Sequence, residues 1–230
     1  MRILMTGAAG AIGSTLIKGM KDRHEIRGLD CVPVPDLEDV IVGNITDFDT
    51  MLAATRGMDA VIHLANVGGA WEDSVNNFVG TYNAFETAHQ NGVRRVVYAS
   101  RAGVLPRSFY PRTIQRTVDM LPKPDSYYSI TKVVGESLGY MYSARFDMEA
   151  VAVRIGNFNR DRDQPSHPHQ LSHGDCVRLF EQAITHPGVK FEIVFGVSDS
   201  DWPLYDLDHG RQAIGYYPQD RSEVPEDQRQ

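Results

Sequence analysis

Short apolar segments alternate with longer amphipathic segments along most of this chain, and no other feature constrains its fold as strongly. The pattern predicts β-strands at residues 2–6, 25–30, 40–42, 60–65, 95–100, 150–155 and 190–195. It predicts helices at residues 11–21, 47–55, 74–90, 127–146, 175–185 and 206–214. Strands that alternate with helices in this way are typical of parallel βαβ units with right-handed crossovers. We therefore expect an α/β fold, a doubly wound parallel sheet with helices on both faces.

Three glycines, Gly7, Gly10 and Gly13, lie between the first predicted strand and the first predicted helix. In a nucleotide-binding turn the first makes the tight bend, the second lets a pyrophosphate approach the backbone, and the third lets the helix pack closely on the sheet. The helix N-terminus, with Ala11 and Ile12, attracts the phosphate charge. An ordinary helix entry made of small residues is the alternative, but the strand-to-helix context favours a dinucleotide site of the Rossmann type.

Asp30 ends the second predicted strand, twenty residues after Gly10. A carboxylate at this position can hydrogen-bond the adenosine ribose hydroxyls, and its charge repels a 2′-phosphate. Cys31 follows where NADP-dependent enzymes often carry a basic residue. The predicted cofactor is therefore NAD rather than NADP.

The alternation of strands and helices breaks after Ile155, and residues 156–172 are polar. A chain of 230 residues allows one substantial core, and the part after Ile155 is too short for an independent domain. We expect residues 1–155 to form an NAD-binding Rossmann domain. Residues 156–230 then form a small C-terminal substrate-binding cap over the carboxyl ends of the strands. The polar residues 219–230 are expected to fray.

Tyr128 and Lys132 are four residues apart on the helix predicted at 127–146, so they share one face. A tyrosine with its reference pKa of about 10 is a poor base, but a nearby ammonium group lowers that pKa. The pair can then take a proton from a substrate hydroxyl while a hydride passes to nicotinamide. The alternative is a packed tyrosine beside a solvated lysine. Tyr127 has no lysine at the same offset, so Tyr128 is the predicted base.

These segments together resemble the extended short-chain dehydrogenase/reductase family, the NAD-dependent epimerase/dehydratase family, over nearly the whole chain. The similar stretches are residues 6–13, 43–47, 63–66, 77–81, 98–100 and 128–132. The chain looks most like short members related to uronate dehydrogenases and archaeal NAD-dependent sugar dehydrogenases, through residues 153–156, 171–173, 195–198 and 207–218. The resemblance implies an NAD-dependent oxidoreductase that oxidises a sugar or a sugar acid.

The resemblance also implies further cofactor contacts near the carboxyl ends of the strands. They comprise two residues beside the adenine, three at the end of the fourth strand, one from the following helix and one on the nicotinamide side, namely Asn44, Ile45, Leu64, Ala65, Asn66, Asn77 and Ile155. It further implies a homodimer in which the helices predicted at 74–90 and 127–146 pair with their copies. Simple burial of these helices against the sheet is the alternative.

The segment after the fifth strand departs from the family pattern. Relatives carry Ser-Ser-Asn-His there, and the second serine usually hydrogen-bonds the reacting oxygen. Here the segment is Ser100-Arg101-Ala102-Gly103, so Arg101 stands in the place of that serine. Ser100 and Arg101 are therefore the candidates for polarising the substrate oxygen. The predicted substrate-binding residues are Arg101, Asn157 and Arg162.

The segment 101–126 is basic although the chain as a whole carries a net charge of −7. It sets five basic residues against two acidic ones: Arg101, Arg107, Arg112, Arg116 and Lys123 against Asp119 and Asp125. The segment either captures an anionic substrate or is a solvated loop with ordinary surface arginines, and both readings stay open. The overall negative charge argues against general nucleic-acid binding, which needs a basic face.

His167, His169 and His173 lie close to Asp175 in the sequence. Such a set can hold a metal ion, but redox chemistry by NAD needs none, and a polar substrate loop is the favoured reading. No metal site is predicted.

Cys31 and Cys176 are the only cysteines, so no disulfide framework is indicated. No apolar run approaches the roughly 20 residues of a membrane span, and the first residues lack the build of a signal peptide. We expect a cytoplasmic protein with a small-molecule partner, without nucleic acid or membrane.

Two other functions stay open beside sugar oxidation. One is an epimerase or dehydratase acting on a nucleotide-linked sugar with NAD recycled, against which the short C-terminal segment argues. The other is an NAD-binding regulatory protein in which Arg101 marks lost catalysis.

Overall fold

A computed structural model describes residues 1–229 and has one seven-stranded parallel sheet in the order β3-β2-β1-β4-β5-β6-β9. The strands in chain order are β1 Arg2–Thr6, β2 Glu25–Asp30, β3 Val40–Val42, β4 Ala60–His63, β5 Arg95–Arg101, β6 Glu149–Ile155, β7 Asn157–Phe158, β8 Gln170–Leu171, β9 Phe191–Gly196, β10 Asp199–Ser200 and β11 Arg221–Ser222. The helices are α1 Ala11–Met20, α2 Phe48–Thr55, α3 Trp71–Gln90, α4 Tyr127–Phe146, α5 His173–Thr185 and α6 Asp208–Ile214. The predicted doubly wound α/β fold is confirmed.

The two faces of the sheet are each covered by helices, which explains the nearly continuous apolar sequence of the central strands. On one face α1 and α5 insert side chains such as Leu16 and Phe180 into the core. On the other face α2, α3 and α4 contribute Met51, Phe85 and Tyr142. In the described residues 1–229, no helix combines the length and apolar character that crossing a membrane requires.

The segment after Ile155 also contributes to the sheet, because β9 pairs in parallel with β6. Residues 219–230 are expected to fray, but hydrogen bonds, a strand pairing and burial hold residues 220–224, and Gln230 lies outside the described residues. Asp220 accepts hydrogen bonds from Ser172 Oγ at 2.6 Å and from Arg178 Nη2 at 2.8 Å. β11 pairs with β10, and Val224 is buried. Polar side chains that bond to α5 hold this segment down, although their composition resembles that of a loose end.

His63, the last residue of β4, gives the core a pH-sensitive group. Its Nδ1 lies 2.7 Å from Thr6 Oγ1, and burial, with a smaller contribution from Lys132, lowers the pKa of the imidazole from 6.5 to about 3. Between these two values the unfolded chain binds a proton that the folded protein excludes. The stabilisation from neutral His63 is therefore complete above pH 6.5 and is lost as the pH falls towards 3.

We expect the free energy of unfolding to decrease by about 1.4 kcal/mol per pH unit from this one group once the pH falls below its unfolded value. Denaturant titrations of the wild type and of His63→Gln over this acidic range measure the effect. The variant should show a shallower pH dependence, whatever its absolute stability. Equal slopes for the two proteins would contradict the assignment.

Candidate functional site

The turn between β1 and α1 has the close backbone contacts that a nucleotide-binding turn requires. Gly7 has a φ of +70°, and a Cβ atom there would lie 2.7 Å from the backbone nitrogen of Ala65. A Cβ atom on Gly13 would lie 2.5 Å from the carbonyl oxygen of Gly7. Both positions need glycine, the first for its backbone conformation and the second so that α1 can pack against the turn.

The N-terminus of α1 has no side-chain cap. Its N-cap residue is Gly10, whereas α2, α4 and α5 are capped by the side chains of Asp47, Ser126 and Ser172. Gly10, Ala11 and Ile12 line a cavity instead. Free amide groups and the positive end of the helix dipole at a cavity wall suit a pyrophosphate group.

A cavity of about 410 Å³ lies beside the carboxyl ends of β2 and β4 and contains Asp30. The Asp30 carboxylate accepts hydrogen bonds from Ala9 N at 2.9 Å and Val32 N at 3.3 Å, which fix it at the rim of the glycine turn. Asn77 of α3 clamps the loop after β4, since its side chain bonds both Val67 N and Val67 O at 2.9 Å. The arrangement suits an adenosine group.

A second cavity of about 760 Å³ adjoins the first and shares Gly7, Gly10, Leu64 and Asn66 with it. Every residue for which sequence indicated cofactor contact lines one cavity or the other: Gly7, Gly10, Ala11, Ile12, Gly13, Asp30, Asn44, Ile45, Leu64, Ala65, Asn66, Asn77, Tyr128, Lys132 and Ile155. Two adjoining cavities that meet at the glycine turn have the layout that a dinucleotide needs.

Tyr128 and Lys132 lie on the wall of the larger cavity. Lys132 Nζ donates a hydrogen bond to Ala99 O at 2.8 Å and lies 5.1 Å from the centre of the Tyr128 ring. Burial, and secondarily the charge of Arg101, lowers the pKa of Lys132 from 10.5 to about 7. Burial raises the pKa of Tyr128, and Arg101 opposes that rise.

Arg101 ends β5 beside this pair. Its Cζ atom lies 5.3 Å from the centre of the Tyr128 ring, and its Nη1 donates to Ser129 Oγ at 3.1 Å. A Cβ atom on Gly103 would lie 2.6 Å from Arg101 Nε and 2.7 Å from Cζ. Arg101 and Gly103, two of the three departures from the family pattern, therefore pack on each other, because glycine at 103 leaves room for the guanidinium of Arg101.

Ser100, a predicted catalytic residue, also lines the larger cavity, but its hydroxyl is engaged in a buried network. The side chain is buried, and its Oγ donates to Glu136 Oε1 at 2.6 Å. Glu136 also accepts two hydrogen bonds of 2.9 Å from Arg154. Since its only hydroxyl hydrogen is used in this network, Ser100 is not free in this structure to donate a hydrogen bond to a substrate oxygen.

Of the other two predicted substrate-binding residues, only Asn157 lies at the larger cavity. Asn157 lines the larger cavity, but Arg162 does not, and its Nη1 donates to Ser166 Oγ at 2.5 Å. The neighbouring Arg160 donates from its Nη2 to Ala9 O at the glycine turn, at 3.4 Å.

Four of the five basic residues of the segment 101–126 line the larger cavity: Arg101, Arg107, Arg112 and Arg116. The fifth, Lys123, lies 4.7 Å above the ring of Phe109. This placement favours the anion-capturing reading over the solvated loop. The signal in the sequence was the local excess of positive charge, which does not reveal which side chains turn inwards.

His167 and His169, from the segment predicted to be a polar substrate loop, line the larger cavity together with Tyr205. The two imidazole rings stack with centres 4.8 Å apart, and His169 Nδ1 lies 2.9 Å from Tyr205 Oη. His173 is separate, with Nε2 2.8 Å from Asn159 O. Within residues 1–229, no three His, Cys, Asp or Glu side chains are grouped to hold a metal ion.

Comparisons with known proteins agree with this geometry. Residues 3–173 match the model of the NAD dependent epimerase/dehydratase family. An NAD-dependent glucose-6-phosphate dehydrogenase of Haloferax volcanii is 33% identical over 96% of this chain and 94% of its own length. A uronate dehydrogenase of Pseudomonas putida is 32% identical over 97% of this chain and 85% of its own.

Among solved structures, a mutant uronate dehydrogenase of Agrobacterium tumefaciens complexed with NAD has a TM-score of 0.87 at 28% identity, covering 96% of this chain and 85% of that one. Its fold is therefore shared over nearly the whole chain. The family match covers the glycine turn, Asp30 and the Tyr128–Lys132 pair together. The chain thus belongs to the NAD-dependent epimerase/dehydratase family.

Proposed function

We propose that this protein is an NAD-dependent dehydrogenase that oxidises a sugar or a sugar acid. The observation that carries the proposal is the Tyr128–Lys132 pair on the wall of the larger cavity, which adjoins the smaller cavity lined by Asp30 and the glycine turn. Relatives that this chain covers over 85–94% of their own length are named as dehydrogenases of uronates and of glucose 6-phosphate.

The residues present fit NAD. The uncapped N-terminus of α1 suits the pyrophosphate, and the carboxylate of Asp30 suits the ribose hydroxyls. Bound NAD supplies the hydride acceptor for an alcohol oxidation.

Replacing Asp30 tests the cofactor assignment. Loss of hydrogen bonds to a charged group costs about 1.5–3 kcal/mol, so Asp30→Ala should weaken NAD binding about 10- to 100-fold. Asp30→Asn, which keeps an acceptor and the shape, should lose less NAD affinity but should bind NADP better than the wild type does. Titration calorimetry with both cofactors measures this. Unchanged NAD affinity in Asp30→Ala would place the adenosine elsewhere.

Tyr128 is the base in this proposal, and it takes the proton of the substrate hydroxyl at its Oη. Lys132, with a pKa near 7, is partly neutral at physiological pH. The guanidinium of Arg101 stays charged, so it keeps a cation beside the phenolate when Lys132 loses its proton. Arg101 also takes over the polarisation of the substrate oxygen from the missing serine, as a charged hydrogen-bond donor.

Two variants test the role of Arg101. Arg101→Ser restores the family residue, and we expect at least tenfold lower kcat if the guanidinium participates in the reaction. Gly103→Ala should also lower kcat, because the added Cβ displaces the guanidinium without removing it. A gain of activity in Arg101→Ser would show instead that Arg101 impairs catalysis and would favour the regulatory function.

The proposed reaction is tested by mixing the purified protein with NAD and a panel of aldoses, uronates and sugar phosphates while following NADH. We expect NADH from at least one class. Tight NAD binding without NADH from any of them would refute the dehydrogenase. Product formation without net NADH would instead indicate an epimerase or dehydratase.

We also propose that the protein forms a homodimer through α3 and α4. Large apolar side chains are exposed on both helices: Val75, Val79 and Tyr82, spaced three or four residues apart, on α3, and Tyr127, Ile130 and Tyr140 on α4. The helices pack side by side, and the Trp71 and Tyr127 rings meet edge to face at 5.5 Å. A contiguous apolar surface of this kind is typical of an interface. Light scattering should report twice the mass of one chain for the wild type. For Val79→Glu it should report the mass of a single chain.

We propose a cytoplasmic location as well. Cys31 is exposed and unbridged, and Cys176 is free and buried. Free thiols of this kind persist in reducing compartments. A fluorescent fusion expressed in the native host tests the location.

A further inference from the structure

One part of the larger cavity is strongly positive. Arg101, Arg107, Arg112 and Arg116 all contribute to its lining, and Lys132 adds a titratable amine. No aspartate or glutamate among residues 1–229 is part of that lining. The lining itself therefore supplies no negative charge to its four guanidinium groups.

Arg116 shows this shortage most clearly, because it is only 1% exposed. Its Nε donates to Leu105 O at 3.1 Å and its Nη2 to Tyr110 O at 2.5 Å. Its Nη1 is buried and has no hydrogen-bond partner in the described part of the chain. Both of its partners are neutral carbonyl groups, and a buried charge without a counter-ion is costly. An anion that enters the cavity would relieve that cost.

Arg107 and Arg112 line the same cavity as Arg116. Arg112 Nη2 lies 3.5 Å from His167 Nε2, and its Cζ lies 5.7 Å from the Trp202 ring. Burial, and then the like charges of Arg107 and Arg116, lower the pKa of Arg112. The arginines therefore repel one another here, and the fold holds them together nonetheless.

The histidines of the facing loop do not supply the missing negative charge. Burial, followed by the neighbouring His167 and the arginines, lowers the pKa of His169 to about 3. The pKa of His167 is lowered by burial and by Arg112 and Arg107. Both rings are neutral at physiological pH and can serve as hydrogen-bond partners beside the cationic group.

We propose that Arg107, Arg112 and Arg116 form a subsite for the phosphomonoester group of a sugar phosphate, an inference that rests on the proposed dehydrogenase function and specifies its substrate. A phosphomonoester carries a charge of about −1.5 to −2 and three acceptor oxygens, whereas a carboxylate brings one charge and two oxygens. Guanidinium groups bind such oxygens in paired, charge-assisted hydrogen bonds. The phosphate is a binding handle, so no bond to phosphorus changes, and the oxidised carbon belongs to the sugar.

The kinetic test compares each aldose phosphate with its unphosphorylated parent and with the matching uronate. We expect kcat/KM to be about 100-fold higher for the phosphate than for the parent, and higher than for the uronate. Arg112→Gln should reduce this preference at least tenfold. Lys123→Gln removes the same charge from the same loop but outside the cavity, and it should keep the preference. A preference for uronates, or a phosphate preference that survives Arg112→Gln, overturns the subsite.

A binding test separates the subsite from the chemistry. Inorganic phosphate and the aldose phosphates should raise the melting temperature of the NAD-saturated wild type above that in chloride of matched ionic strength, and Arg112→Gln should remove the difference. If this stabilisation is found but no NADH forms, the subsite stands and the dehydrogenase falls. If NADH forms from unphosphorylated sugars or uronates and phosphate has no effect, the dehydrogenase stands and the subsite falls.

Discussion

Tyr128→Phe should lower kcat by about 10²- to 10⁴-fold, the range that a positioned general base contributes, while NAD binding is retained. The variant removes only the hydroxyl that we propose takes the substrate proton. The ring remains beside Lys132 Nζ and the guanidinium of Arg101, which lie 5.1 Å and 5.3 Å from its centre. Steady-state rates of NADH formation, together with calorimetric NAD binding, measure the two properties separately.

Tyr127→Phe is the matched control. Tyr127 is the preceding residue of α4, but its ring is half exposed and it has no lysine four residues later. The control should keep the wild-type kcat. If Tyr128→Phe retained more than about a tenth of the activity, a different group would have to be the base.

Glu136→Gln should lower the free energy of unfolding by about 3–5 kcal/mol, the cost of breaking a buried ion pair on one side. Glu136 of α4 and Arg154 of β6 are both almost fully buried and share two hydrogen bonds of 2.9 Å. Arg154 Nη1 also donates to Val118 O at 3.0 Å, which ties the arginine-rich loop to the sheet. Without the carboxylate, Arg154 remains buried without a counter-ion. Urea denaturation measures the change.

The double variant Glu136→Met with Arg154→Met is the control for this prediction. Replacing both charges by apolar side chains of similar length removes the uncompensated charge, so the double variant should be more stable than Glu136→Gln. A loss below about 1 kcal/mol in Glu136→Gln would show that water or another group reaches Arg154.

The features that sequence predicted well are those with local causes. The turn from β1 to α1 depends on three glycines within seven residues, and their close contacts leave no choice of residue at Gly7 and Gly13. The helix α4 has the predicted bounds because Ser126 caps its start, with Oγ accepting from Ser129 N at 3.2 Å. The same helix places Tyr128 and Lys132 on one face by its periodicity alone.

The features that sequence did not predict are contacts between segments that are far apart in the chain. Ser100 and Arg101 are neighbours in β5, and alternation along the strand turns one towards Glu136 and the other towards Tyr128. The sequence does not indicate that Glu136 accepts a hydrogen bond from Ser100, because a glutamate in a long helix is expected to face solvent. The polar composition of the C-terminal segment likewise suggests a loose end, because its hydrogen bonds are made to the distant helix α5 and its N-cap.

The amino-acid sequence by itself predicts the parallel sheet, the nucleotide turn, the preference for NAD and the tyrosine and lysine that we propose as the catalytic pair. Each depends on the period of a helix or strand or on glycines within a single turn. Tertiary folding is needed to bury Arg116, to gather the arginines around one cavity and to engage the Ser100 hydroxyl with Glu136. These outcomes depend on which side chains of separate segments face each other, and the electrostatic cost of burying a charge becomes apparent only once those neighbours are in place.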